Sequence, residues 1–453
     1  MKRCLFICSL FLLGLAASVW GQEGTGLKLM TFDVDATPQV GSELTYQTML
    51  NSGELSLRAR GLVLLGAGQP IVLCSVDWIG IGNESQDAFK EALAEAAGTV
   101  PDRVEVHTVH QHDAPICDFT GEKILREHGL PAGSFDGTFA RQVIRNIQDA
   151  IRRSISAAKP VTSVGFGKAD VRKVASNRLV KMKDGTYQTR YSAEPSRPEI
   201  KNRPEGLVDR EVSLVSFWNG EQPLAVLSFY ATHPQSYYLT GVANPDFPGV
   251  ARYLRQMEVP DALHIHFNGA GGNIAAGKYN DGSHRNRLIL GQRLAKGMGK
   301  AWKSTKKIQI GPEEVKWLTE PMALPFNDKV KGLEDSLDKM PRNALSNSIG
   351  RIGWYRRRLE GRRINASCLA LGDDVRILFM PGELYVEYQL AAKNMAPKKF
   401  VTMAAYGDYG PFYIPTRKAY ELGGYEVNST PVTADVENYI MDRLQKLLEG
   451  AGL

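Results

Sequence analysis

The chain has 453 residues, 43% hydrophobic and 23% charged, an ordinary balance for a folded globular protein of one large α/β domain or two to three smaller ones. Its net charge of +6 is spread out with no long basic run, which argues against nucleic-acid binding. Five cysteines without paired local spacing exclude a disulfide scaffold.

The N-terminus reads as an export leader. Lys2 and Arg3 precede an apolar run from Leu5 to Leu15, then small residues at 16–18 and a polar Gln22-Glu23. This is the pattern of a signal peptide over residues 1–21, the run being too short to span a bilayer comfortably, with an uncleaved membrane anchor as the competing reading. Its removal takes two cations and no acids, so the charge falls from +6 to +4. The exported chain keeps Cys74, Cys117 and Cys368, and Cys74 and Cys368 sit in apolar, strand-like sequence that suits buried thiols. No later segment has the long uncharged run of a spanning helix, and nothing marks a membrane-binding surface after export.

Helical and strand patterns then alternate. Helical spacing covers 85–97, and 104–112 alternates like a strand. In 138–155, Phe139, Val143, Ile147, Ala150 and Ile151 share one helical face. Two strands, 212–218 and 224–231, flank Asn219-Gly220, a hairpin signal. Helices are expected at 248–257, 285–302, 384–392 and 433–448, and strands at 262–266 and 400–406. Residues 368–371 should pair with 375–380 across Gly372-Asp373-Asp374. The stretch 190–210 reads as a long surface loop, and 303–345 as the least regular region. The expected fold is mixed α/β (α+β), one domain over 22–453 with two strand-rich halves and helices outside.

Candidate chemistry gathers at strand ends. Strand periodicity puts His110 and His112 on one face, and Asp113-Ala114-Pro115 stops the strand. Paired imidazoles there suit zinc, or simply a solvated strand terminus. His233 ends another apolar run before Pro234. Glu383 follows the run 377–380 and Pro381-Gly382, where it could equally be a helix-start carboxylate. Tyr413 lies in an aromatic stretch that also suits packing. The glycines of Gly269-Ala270-Gly271-Gly272-Asn273 could let backbone amides approach a ligand or an oxyanion. Asp77, Asp113, Asp246 and Asp408 lie near these motifs, but a glycosidase carboxylate pair cannot be read from spacing.

Five short motifs, in order, resemble the neutral, non-lysosomal ceramidase family. They are Val109-His110-Gln111-His112-Asp113-Ala114-Pro115, Asn177-Arg178, Phe229-Tyr230-Ala231-Thr232-His233-Pro234, Pro381-Gly382-Glu383, and Tyr413-Ile414 through Tyr425-Glu426. The resemblance covers about 27–450 and implies a ceramidase-like catalytic domain with mixed sheets sandwiched by helices. It implies one zinc ion held by His110, His233, Glu383 and Tyr413, with His112, Arg178 and Tyr425 as catalytic residues around it. Two departures stand out. The family's nucleophilic serine segment corresponds to Gly271-Gly272-Asn273-Ile274-Ala275-Ala276, which has no serine. The family's C-terminal β-sandwich domain has no counterpart before Leu453. The expectation is therefore an exported zinc-dependent hydrolase that cleaves an amide in an N-acyl lipid or N-acyl sugar with metal-activated water. The competing readings are a carbohydrate-active enzyme that cleaves glycans on the same metal-binding fold, and a non-enzymatic metal or glycan binder.

Overall fold

The computed structural model describes residues 26–452, so the leader expected over 1–21 lies outside the described residues. The strands form three main sheets rather than two halves. In the first, β1 (Lys28–Asp35), β2 (Arg58–Gly66) and β3 (Gly68–Val76) run antiparallel, and β4 (Val104–Thr108) adds parallel to β3. Helices α1 (Glu84–Ala97) and α2 (Thr138–Ser154) pack on this sheet. Val143, Ile147 and Ile151 of α2 are fully buried because a four-residue step returns to the same helix face.

The second sheet contains β5 (Ser163–Asp170), β6 (Glu211–Asn219) and β7 (Gln222–Tyr230), all antiparallel neighbours. The β6–β7 hairpin closes from Asn219 opposite Gln222, with Gly220 supplying the positive φ of 57° that the turn needs. After α3 (Asp246–Glu258), β8 (Leu263–Asn268) joins parallel to β7, and α4 (Arg285–Lys303) packs on α3. The third sheet orders β9 (Val315–Met322), β10 (Ile364–Leu371), β11 (Val375–Phe379) and β12 (Phe400–Ala404). Between and after them, α5 (Val386–Met395) and α6 (Val436–Gly450) pack together and cover it.

Inner faces of all three sheets share one apolar core. Leu62, Leu64 and Leu73 of the first meet Val215, Leu227 and Phe267 of the second and Leu369, Ile377 and Phe379 of the third. Cys74, Cys117 and Cys368 are buried free thiols. Among the described residues no helix is long and apolar enough to cross a membrane.

Several sequence expectations need correction. Strand β9 lies inside the region read as least regular. It is an edge strand whose Lys316, Glu320 and Pro321 hide the alternation. The strand expected over 104–112 stops at Thr108, where β4 leaves the sheet. The stretch 190–210 is not simply a surface loop. Buried Arg190 donates to the carbonyls of Asn177, Arg203, Pro204 and Glu205, which pins this stretch to the body.

Candidate metal centre

Each sheet contributes a parallel strand pair, and the carboxyl ends of those pairs converge. Asn268 at the end of β8 donates from its side chain to the Val109 carbonyl (3.1 Å). Its backbone carbonyl accepts from Ala405 N (2.9 Å), and Thr108 N donates to the Tyr406 carbonyl (2.9 Å). The ends of β4, β8 and β12 are thus tied in a ring. Clefts of α/β proteins open at such carboxyl ends, where loops are free to carry chemistry. His110 (φ 72°), Tyr406 (φ 60°) and Phe412 (φ 52°) adopt left-handed backbone here. Such conformations cost about 1–3 kcal/mol each and persist where surrounding structure holds them.

The sheets bring His110, His233 and Glu383 to one point. His110 Nδ1 lies 2.6 Å from the Ile79 carbonyl, and His233 Nδ1 lies 2.7 Å from the Gly271 carbonyl. A carbonyl oxygen only accepts, so each Nδ1 carries the proton and each Nε2 presents a lone pair. Those lone pairs face one carboxylate oxygen, Glu383 Oε2, at 3.3 Å from His110 and 3.0 Å from His233. All three atoms are buried without a hydrogen-bond partner. Burial lowers the His233 pKa, with Glu383 opposing only in part, so the imidazole is neutral. Burial works against charge on Glu383, and its carboxyl falls well below the usual range only where positive charge faces it from the side of His110 and His233, the place a bound cation would take. An ionised carboxylate and lone-pair nitrogens turned on one spot repel unless a cation lies between them. This donor set fits a divalent metal.

The neighbouring side chains fall around that point. Glu383 and Tyr413 are direct partners in a two-residue parallel ladder, which sets them side by side. The Tyr413 ring stacks on His233 (centroids 6.2 Å, 22°), and its hydroxyl accepts from Arg178 Nη1 (3.3 Å). Burial and then Glu383 raise the Tyr413 pKa well above its ordinary value. Arg178 also ion-pairs through Nε with buried Glu426 (3.0 Å), and its guanidinium lies 5.5 Å from the Tyr425 ring. His112 is partly buried, and its ring nitrogens lie within ligand reach of those of His110 and His233, all within 4.8 Å of one another. Neither of its nitrogens has a partner. Burial, followed by His110 and His233, lowers its pKa well below the ordinary value. The ring stacks on Tyr46 (5.7 Å, 18°). All seven residues read from the sequence therefore lie together.

Sequence reasoning missed Tyr409, whose hydroxyl donates to Glu383 Oε1 (3.0 Å), and Tyr406, stacked on His110 at 4.5 Å. Both follow β12 in an aromatic run that looks like packing. Glu426 was visible only as the neighbour of Tyr425.

Three amides of the glycine run are committed to the protein itself. Gly269 N donates to the Tyr230 carbonyl, Ala270 N to Gln389 Oε1 and Gly272 N to the Leu384 carbonyl. Gly272 is needed because a Cβ there would overlap the Glu383 backbone. Asn273 does not replace the missing serine. Its carbonyl accepts from Val386 N (3.0 Å) and its amide donates to Glu387 Oε2 (2.9 Å), bracing the start of α5. The nearby acids are engaged as well. Asp77 pairs with Arg252, Asp113 binds Thr240, Asp246 binds Ser236, and Asp408 accepts from Asn83 N and Gly410 N.

The fold and its convergent strand ends define a ceramidase-like α+β architecture. Neutral ceramidase from Pseudomonas aeruginosa superposes with a TM-score of 0.66 at 14% identity, over 94% of this chain and 74% of that one. A ceramidase complexed with C2 gives a TM-score of 0.67 at 14% identity, over 94% and 75%. No protein-family model and no curated protein matches the sequence.

Proposed function

We propose that this chain is an exported, zinc-dependent hydrolase that cleaves an amide bond in an N-acyl lipid or N-acyl sugar. The observation that carries the reading is the convergence of His110 Nε2, His233 Nε2 and Glu383 Oε2, buried and unpartnered, from three separate sheets. These three, with Tyr413 beside Glu383, would hold the ion. A zinc ion there supplies Lewis acidity to a carbonyl and lowers the pKa of water from 15.7 to about 7.

The chain's own groups take the remaining tasks. With no serine in 271–276 and Asn273 committed to α5, water is the nucleophile. His112, at the cleft and with unpartnered ring nitrogens, accepts and returns the proton as general base and acid. Arg178, held by Glu426, and Tyr425 face the carbonyl oxygen as charge develops on it. Export rests on the leader pattern at 1–21, and zinc rather than iron or manganese, which nitrogen and oxygen donors also suit, rests on the resemblance to the ceramidase family.

The test is a hydrolysis screen on metal-replete protein with N-acyl sphingosines, N-acyl amino sugars and oligosaccharides, beside His110→Ala. Release of a carboxylic acid that disappears in the folded variant is expected. Reducing sugar released without any acid would replace the amide reading with glycan cleavage. Activity unchanged in His110→Ala would remove the metal from the reaction.

A further inference from the structure

The cleft over His112 and His233 encloses about 890 Å³, near the upper end of small-molecule sites. Six tyrosines line it: Tyr46, Tyr191, Tyr237, Tyr238, Tyr413 and Tyr425. Its only aliphatic side chains are Ala193 and Leu239, and Leu239 is 55% exposed. A long acyl chain gains about 0.8 kcal/mol for each buried methylene and needs a continuous apolar wall to realise it. In this cleft the apolar surface is made mostly of tyrosine rings rather than aliphatic side chains.

Its aromatic rings are arranged differently. Five tyrosines are exposed among the described residues, and three of them (Tyr191, Tyr238 and Tyr425) line this one cleft. These rings are backed on one side. The Arg197 guanidinium lies 5.1 Å from Tyr191, Arg178 lies 5.5 Å from Tyr425, and Tyr46 packs 5.5 Å from Tyr238. Tyr237 is held by His284 (4.4 Å) and Arg287 (3.6 Å) and serves as part of the wall rather than as an open face. Fixed rings with an open face and a polar tip suit a ligand that is flat and apolar on its face and hydroxylated at its edge.

The geometry points to a carbohydrate as the ligand of this cleft. Combined with the amide reading above, on which only this last step rests, the substrate is an N-acylated amino sugar. The tyrosines hold the sugar rings while the N-acyl group reaches His110, His233 and Glu383.

The experiment measures binding of the tri-N-acetylglucosamine oligosaccharide to the full protein by calorimetry and saturation-transfer NMR, with and without chelator. Tyr191→Ala and Tyr238→Ala should each weaken binding about tenfold, and Tyr191→Phe and Tyr238→Phe should keep most of it. Chelator should leave sugar binding in place. Absence of saturable binding, or wild-type affinity in both alanine variants, overturns the inference, as does displacement of the sugar by N-hexadecanoyl sphingosine in mixed micelles. Sugar binding with no acid released upholds the carbohydrate cleft while refuting the amide reading. Acid release from N-acyl sphingosine with no sugar binding does the opposite.

Discussion

Tyr409→Phe probes the metal centre without touching a ligand. The Tyr409 hydroxyl donates to Glu383 Oε1 at 3.0 Å, which leaves Oε2 turned towards the two imidazoles. Burial and then Glu383 raise the Tyr409 pKa well above its ordinary value, so the phenol remains a donor. Its ring packs where a Cβ on Gly80 would overlap it, and phenylalanine fills that slot equally well. The substitution therefore deletes one hydrogen bond to a charged acceptor, about 1.5–3 kcal/mol. If that bond fixes the carboxylate for a cation, metal affinity should fall about 10- to 100-fold, the usual effect of losing an orienting partner. Titration of the metal-free protein with zinc against a competing chelator reads this directly. A dissociation constant within twofold of the wild type would refute the reasoning, because Glu383 would then not need Tyr409 to aim it.

Other perturbations separate structural from chemical roles. Asn273→Ala leaves Val386 N without its side-chain acceptor and removes one donor from Glu387, and should lower stability by about 1–3 kcal/mol in urea unfolding, with zinc affinity unchanged. Lost turnover at full stability would instead make Asn273 catalytic. Glu426→Gln strips the charge partner from buried Arg178 and should cost about 3 kcal/mol, read as a lower urea midpoint. An unchanged midpoint would mean that Arg178 is solvated well enough to stand alone. Burial, and then Arg252, lowers the His266 pKa to about 3. Between about pH 6.5 and that value the unfolded chain binds a proton that the native state does not. Stability from this site is complete above pH 6.5 and is lost as pH falls, at up to about 1.4 kcal/mol per pH unit. The wild-type urea midpoint should thus fall more steeply from pH 6.5 to 4 than that of His266→Leu, and parallel slopes would contradict the assignment.

The individual elements were legible where a local period exists. Helix α2 and the β6–β7 hairpin follow directly from the spacing of Val143, Ile147 and Ile151 and from Gly220. Edge strand β9 was not legible, because a half-exposed strand with Pro321 carries no clean alternation. His233, Glu383 and Tyr413 could be placed at strand ends, but nothing local shows that three sheets bring those ends together. That depends on cross-sheet bonds such as Asn268 to Val109, whose partners lie far apart in the chain. His110 and His112 reach the cleft together although strand alternation does not extend to them. The chain leaves β4 at Thr108 and turns through a positive φ at His110. The glycine run was ambiguous for a related reason. Its flexibility serves close approach to the Glu383 backbone, and sequence alone does not say which neighbour a glycine makes room for.

The central claim is that His110, His233 and Glu383 hold a catalytic metal ion. A crystal of the zinc-loaded protein, measured on both sides of the zinc absorption edge, tests it most directly. The account predicts one anomalous peak within bonding distance of His110 Nε2, His233 Nε2 and Glu383 Oε2. No peak there, with Glu383 Oε2 still against both imidazoles, would contradict it and make the cluster a proton-sharing structural triad.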